Sequence, residues 1–202
     1  MDNNNAIVNP TAAILAEFAG GSSGEVEMMI GVGVIKESDA VFFQYLGDDQ
    51  SPQALVNPTT AKPLTRLPNL ELVGISVADD IGEFKSTKLN VYVKTLQGRT
   101  LMLTSGLTTL WSQCLMTCLS GLNNTEAGIS QLFTLDSWKG NSKMRPCFSA
   151  IRAGREKVTD QELYDLLREA RADRDSAKVQ QLMRNTVQSL SDAINGTQEP
   201  IT

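Results

Sequence analysis

The chain has 202 residues, 41% of them hydrophobic, which is enough to form one substantial core in one or two domains. It contains no histidine, and this excludes Ser–His and Cys–His nucleophile pairs, a histidine general base and histidine-ligated zinc. Its three cysteines are too few for a four-cysteine zinc site, and their odd number favours reduced thiols. We therefore expect a protein that is not an enzyme, with no catalytic residues, no cofactor and no bound metal.

No run approaches the roughly eighteen apolar residues that a membrane-spanning helix needs. Residues 1–5 show neither the basic nor the apolar region of a signal peptide. These features predict a cytoplasmic chain without a membrane partner.

The net charge of −5 is unevenly distributed along the chain. Residues 1–84 carry three basic and twelve acidic residues, residues 85–158 ten and three, and residues 159–202 five and eight, so the balances are −9, +7 and −3. Clustered Lys and Arg indicate a polyanion partner, because they displace counterions from a phosphate backbone. The alternative is a solvated basic face that the acidic ends neutralise in space.

The first 63 residues predict an acidic N-terminal β region. Strands at 26–35 and 40–46 form a hairpin. Gly31 and Gly33 indicate close backbone packing and not a phosphate-binding loop, because no helix signal follows them. Residues 47–63 contain three prolines and predict a loop that ends this region.

Residues 64–158 predict a basic β-rich domain with one inserted helix. We expect strands at 70–78, 88–95, 99–105, 129–138 and 144–153, with a helix over 107–122 between the third and the fourth. In the second strand apolar residues alternate with polar ones, so one face is predicted to be core and the other to carry Lys88 and Lys94 around Tyr92.

The predicted helix over 107–122 is apolar around most of its surface, which indicates burial. Trp111 is expected in the core. Cys114 and Cys118 are expected to be small buried side chains, with a redox or metal role as the alternative.

Cations alternate with aromatic rings around the turn that follows Trp138. This pattern suits single-stranded nucleic acid, since cations follow the phosphates while bases stack on rings, at about 1–3 kcal/mol per stacked base. The alternatives are that Tyr92 is ordinary sheet filler and that Trp138 caps the core. The predicted nucleic-acid contacts are Lys88, Tyr92, Lys94, Arg99, Trp138, Lys139, Lys143, Arg145 and Arg152.

The order strand, strand, strand, helix, strand, strand over residues 70–155 resembles the oligonucleotide-binding (OB) fold. Single-stranded DNA-binding proteins of bacteria and mobile elements have this fold. The resemblance is one of architecture and covers less than half of the chain. It implies aromatic and basic residues on a barrel face and its hairpins, and a role accessory to replication or recombination.

Residues 159–202 predict a tail of two amphipathic helices. Thr159-Asp160-Gln161-Glu162 is a capping box that begins a helix through Arg171, and a second helix spans residues 176–195. The apolar stripe of the second helix is expected to pack on the chain's own sheet. A homo-oligomer or a protein partner docking through residues 159–202 is the alternative.

These observations predict an α+β fold with an antiparallel OB-like barrel or sheet, one inserted core helix and a C-terminal helical tail. The predicted function is sequence-independent binding of single-stranded nucleic acid, most naturally DNA. The alternative is a protein–protein adaptor or inhibitor that acts through the helical tail and the acidic hairpin. A third hypothesis, a carboxylate-dependent nuclease, rests on Asp48-Asp49 and on Asp79-Asp80 with Glu83, although acidic residues beside glycines are typical of solvated turns.

Overall fold

The computed structural model describes residues 26–35, 38–46, 51–57, 59–82 and 84–197. In these ranges the strands are β1 (Val26–Val32), β2 (Phe42–Leu46), β3 (Ser51–Ala54), β4 (Arg66–Ile81), β5 (Ser86–Lys94), β6 (Thr100–Gly106), β7 (Phe133–Lys139), β8 (Cys147–Ala153) and β9 (Glu156–Val158). The helices are α1 (Leu110–Asn123), α2 (Gln161–Ala172) and α3 (Ser176–Thr197), with a short 3-10 helix at Gly128–Ser130. None of the helices in this part of the chain combines the length and the apolar character needed to cross a bilayer.

All nine described strands belong to one sheet, in the order β3-β2-β1-β6-β5-β4-β7-β8-β9. Neighbouring strands are antiparallel except β1 and β6, which are parallel. The predicted hairpin of β1 and β2 is confirmed, and β1 joins it to the sheet through β6. Strands β3 and β9 form the two edges, so the sheet is not closed into a barrel.

The sheet bends back on itself, which brings together strands that are distant in its order. The Lys139 ammonium group, at the end of β7, donates hydrogen bonds to the backbone oxygens of Ile35 (3.2 Å) and Ser38 (2.5 Å) in the β1–β2 loop. Three strands separate β1 from β7 in the sheet. An isolated bridge between Val56 and Pro63 also joins the segment after β3 to the segment before β4.

The helices pack against the apolar face of this sheet. Helix α1 lies on β8, β9 and β6, and α3 packs on β4, α1 and α2. Trp111 is 1% exposed, and its indole Nε1 donates to Ser137 Oγ on β7 at 2.9 Å. The predictions of a buried Trp111 and of a tail packed on its own sheet are confirmed, because Val179, Met183 and Leu190 of α3 lie in the same core.

Strand β3 was not predicted, because residues 47–63 have the composition of a loop. Ser51–Ala54 nevertheless pairs with β2, and Pro52 is tolerated because β3 is an edge strand that needs no ladder on its outer side. The predicted strand at 129–138 is also shorter, since its first residues form the 3-10 helix and β7 begins at Phe133.

The predicted capping box is displaced by one residue. Asp160, and not Thr159, is the N-cap of α2, and its carboxylate accepts from the backbone N–H of Leu163 at 3.0 Å. Helix α1 fixes this choice, because Ser120 Oγ donates to Asp160 Oδ2 at 2.6 Å and the Asp160 N–H donates to the Thr117 oxygen at 2.8 Å. Thr159 Oγ1 donates to the Val158 oxygen instead.

Candidate nucleic-acid interface

Strand β5 has one buried and one solvent-facing side, as its alternation predicts. Leu89, Val91 and Val93 are no more than 1% exposed and point to the core. The residues between them are partly exposed on the opposite side, which we call the open face. The open face is defined by residues of five neighbouring strands: Met29, Phe43, Tyr45, Gly74, Lys88, Asn90, Tyr92, Lys94, Met102 and Thr104.

The strand register aligns apolar and aromatic residues in one row across the open face. Met29 of β1 is opposite Met102 of β6, Met102 is opposite Tyr92 of β5, and Tyr92 is opposite Gly74 of β4. Met29 is 46% exposed. A row of this kind forms an apolar strip that runs across the strands.

Two rings from the acidic hairpin extend this surface, and neither was among the predicted contacts. Phe43 of β2 pairs with Gly31 of β1, and Tyr45 follows it on the same side of β2. The two rings form an edge-to-face pair with centroids 5.3 Å apart. Tyr45 is 48% exposed and so can meet a ligand.

The rings of Phe43 and Tyr92 each pack against a glycine on the neighbouring strand. A Cβ atom at Gly31 would lie 2.3 Å from Phe43 Cε2, and one at Gly74 would lie 3.2 Å from Tyr92 Cδ2. Each ring therefore occupies space that a side chain on the next strand would fill. This confirms the predicted close packing at Gly31 but not at Gly33, where a Cβ atom would lie 3.7 Å from Phe43 Cε1, an ordinary contact. Such ring–glycine pairs also stabilise sheets.

Lys88, near the start of β5, and Lys94, at its end, lie on the open face. Lys88 and Lys94 are six residues apart, about 20 Å along the strand, and Tyr92 lies between them. Lys94 is directly opposite Glu71 of β4, whereas Lys88 is opposite Ala78. Arg99 lies beyond the turn that follows β5, and its Nε is 3.3 Å from Glu27 Oε2.

A second aromatic and basic cluster lies on β7 and β8. Trp138 is 43% exposed and stacks on Phe148, directly opposite on β8, with centroids 6.1 Å apart and ring planes 23° apart. Arg66 and Arg152 donate through their Nε atoms to the two oxygens of Asp136, at 2.6 and 2.8 Å. A cavity of about 290 Å³, which we call the Trp138 cavity, is lined by Thr65, Arg66, Asp136, Ser137, Trp138, Ala150, Arg152 and Lys157.

Arg66 and Arg152 stabilise the ionised form of the Asp136 carboxyl group. Partial burial by itself raises the pKa of this carboxyl group, but the hydrogen bonds and charges of Arg66 and Arg152 outweigh burial, and the pKa lies below its ordinary value. Asp136 is therefore ionised at neutral pH.

The remaining predicted contacts lie at the end of β7 and in the β7–β8 turn. Lys139 binds the backbone of the β1–β2 loop, and Arg145 forms an ion pair with Asp39 of the same loop. The hydrogen bond and charge of Arg145 lower the pKa of Asp39. Lys143 is exposed and has no ion-pair partner within the described ranges.

The nine predicted residues thus divide into three groups. Lys88, Tyr92 and Lys94 share the open face, with Arg99 beyond its end, and Trp138 and Arg152 line the Trp138 cavity. Lys139, at the end of β7, and Lys143 and Arg145, in the turn after it, belong to neither surface. Alternation along β2 places Phe43 and Tyr45 on one side of that strand, but their position beside Tyr92 depends on the pairing of β1 with β6.

The described residues contain no group of three or more Asp, Glu or Cys side chains that could hold a metal ion. Asp79 accepts from Thr87 Oγ1 at 2.9 Å and pairs with Arg184 at 2.5 Å, and these contacts lower its pKa. Asp48, Asp49 and Glu83 lie outside the described residues. Burial raises the pKa of the three free thiols, at Cys114, Cys118 and Cys147.

Comparison of the chain with protein-family models, with curated proteins and with solved structures finds no match.

Proposed function

We propose that this chain binds single-stranded nucleic acid on the open face, without catalysing a reaction and without reading sequence. The observation that carries the proposal is the row Met29–Met102–Tyr92, which lies between Lys88 and Lys94 and continues into the rings of Phe43 and Tyr45. In this row Met29 is 46% exposed, and Met102 and Tyr92 are partly exposed on the side of the sheet opposite the core.

The chemistry of the open face suits unpaired bases. Bases of a single strand can stack on exposed rings and thioethers while the two lysines meet phosphates on either side. Every base has a π-face, so such contacts do not discriminate between sequences. A duplex keeps its bases stacked inside and would offer this face only its backbone.

The element order β4, β5, β6, α1, β7, β8 supports an OB-like organisation of residues 66–153. In this proposal the bend of the sheet corresponds to the curvature of an OB barrel. A role accessory to replication or recombination agrees with binding that does not read sequence.

The adaptor hypothesis has less support in the tail. The apolar stripe of α3 is already buried against β4, α1 and α2, so it is not available to a second protein. The acidic hairpin contributes Phe43 and Tyr45 to the open face.

Substitution of the central ring tests the proposal. The affinity for a fluorescein-labelled single-stranded oligonucleotide is measured by anisotropy at low salt for the parent chain, Tyr92→Leu and the control Tyr164→Leu. Tyr164 is a partly exposed ring on α2, on the helical side of the molecule. We expect Tyr92→Leu to weaken binding by about 5- to 100-fold, the loss of one stacked base, and Tyr164→Leu to leave it unchanged. Equal affinities for all three chains, with all of them folded, would refute the proposal.

A further inference from the structure

The Trp138 cavity combines an exposed aromatic ring with a cluster of cations. Phe148 packs against the Trp138 ring from β8, and the same ring lines the cavity. Arg66, Arg152 and Lys157 line it as well. Its volume of about 290 Å³ is at the lower end of small-molecule sites.

Asp136 orients the arginines without using all their donors. Each guanidinium group donates its Nε–H to one oxygen of Asp136. These two hydrogen bonds leave the terminal amino groups of both arginines unused. A guanidinium group held by one edge can still present the other to a phosphate oxygen. The carboxylate is only 16% exposed, so it acts as a fixed support from within the sheet.

The side chains of this cluster carry more positive than negative charge. Lys157 of β9 is directly opposite Arg152 of β8, which places it beside the second arginine. With Arg66 and one carboxylate, the formal charge of the four side chains is +2. An anion of charge near −2, such as a phosphate monoester, would balance them.

We propose that the Trp138 cavity is a mononucleotide-binding site, in which the base stacks on Trp138 and the phosphate binds Arg66, Arg152 and Lys157. The ligand is either a free nucleotide or the phosphorylated end of a strand, since both present a base beside a phosphate monoester. This inference does not depend on the open face, because Arg66 and Gly74 are eight residues apart on β4, about 25 Å along the strand.

The intrinsic fluorescence of the chain reports directly on this cavity. Trp111 is buried and Trp138 is exposed, so added ligand quenches Trp138 alone. Titration with adenosine monophosphate should give saturable quenching, and adenosine should bind at least about tenfold more weakly because it lacks the charge-assisted contacts. Inorganic phosphate should compete with the nucleotide.

Variants separate the site from a general charge effect. Arg152→Gln and Lys157→Gln should each weaken the binding of adenosine monophosphate by about tenfold. The control is Arg155→Gln, which should have no effect, because Arg155 is exposed in the β8–β9 turn and does not line the cavity. Lys157 is exposed on the edge strand, so Lys157→Gln tests the site even if Arg152→Gln fails to fold. Loss of the same size in Arg155→Gln would overturn the proposal.

Oligonucleotides distinguish the two sources of the ligand. If a 5′- or 3′-phosphorylated oligonucleotide displaces adenosine monophosphate and the unphosphorylated oligonucleotide does not, the ligand is the phosphorylated end of a strand. If neither oligonucleotide displaces it, the ligand is the free nucleotide. Absence of saturable quenching by adenosine monophosphate, or equal binding of adenosine, overturns the site. A Tyr92→Leu chain that keeps its oligonucleotide affinity would refute the open face and leave this result unchanged.

Discussion

Tyr92 and Gly74 are directly opposite on β5 and β4, and the ring leans over the glycine, with Cδ2 3.2 Å and Cβ 3.4 Å from where a Cβ atom of residue 74 would lie. A side chain at position 74 therefore competes with the ring for the same space.

Gly74→Val is the corresponding test of ring placement. We expect the valine side chain to displace the Tyr92 ring and to weaken oligonucleotide binding several-fold, approaching the loss in Tyr92→Leu. Stability should change by no more than about 1 kcal/mol, because valine favours strands and offsets the crowding. Anisotropy and urea unfolding measure the two effects. Full affinity in Gly74→Val would show that the ring position is irrelevant to binding.

Gly121 brings α1 against the start of α2. A Cβ atom there would lie 2.6 Å from the Thr159 carbonyl carbon and 2.7 Å from the Asp160 nitrogen, and neither backbone atom can move alone. We expect Gly121→Ala to lower the free energy of unfolding by about 1–3 kcal/mol or more through overpacking. The control is Gly196→Ala on α3, where nothing lies within 4 Å, and it should be neutral or stabilising by up to about 1 kcal/mol. Similar unfolding midpoints for both variants would contradict the close approach.

The low pKa of Asp136 predicts a loss of stability in acid. Its pKa is lower in the folded chain than in the unfolded chain, so its full contribution is present above its ordinary pKa of about 4 and is lost as the pH falls through the folded value. Asp136→Asn should cost about 1–3 kcal/mol at pH 7, and the two chains should converge in stability as the pH falls through the lowered pKa of Asp136. Urea unfolding across this range measures the difference. A gap that does not change with pH would show that the two arginine pairs contribute nothing to folding.

The thiols should react slowly in the folded chain. Burial raises the pKa of Cys114, Cys118 and Cys147, so at pH 8 they are mostly protonated. Cys118 and Cys147 are buried, whereas Cys114, which the sequence predicted to be buried, is partly exposed. We expect slow modification by a chromogenic disulfide reagent in buffer and rapid modification of three thiols in denaturant. Rapid reaction of the native protein would mean that helix α1 is not packed on β8 as described.

The sequence predicts local patterns of this fold better than its long-range contacts. The alternation in β5 and the apolar helix α1 are set by neighbouring residues, so the buried faces of both follow from periodicity. The parallel pairing of β1 with β6 joins residues about 70 positions apart, and no local pattern specifies it. Without that pairing, Phe43 and Tyr45 could not be placed beside Tyr92.

The candidate sites likewise contain some residues that a local sequence pattern groups and others that only long-range contacts bring together. Lys88, Tyr92 and Lys94 could be grouped because they alternate on one strand. Arg66 and Asp136 are 70 residues apart, and their ion pair follows only from the register of β4 with β7. Lys139 and Arg145 have the composition of a binding turn, but the bend of the sheet engages both with the β1–β2 loop.

The salt dependence of oligonucleotide affinity tests the central proposal most directly. The measurement compares the parent chain with Lys88→Gln/Lys94→Gln and with the control Arg168→Gln/Lys178→Gln, whose charges lie on α2 and α3. Each phosphate contact on a single strand contributes about 0.7 to the slope of log affinity against log salt. The open face therefore predicts a slope shallower by about 1.4 in the first variant and unchanged in the control, whereas three parallel lines would contradict it.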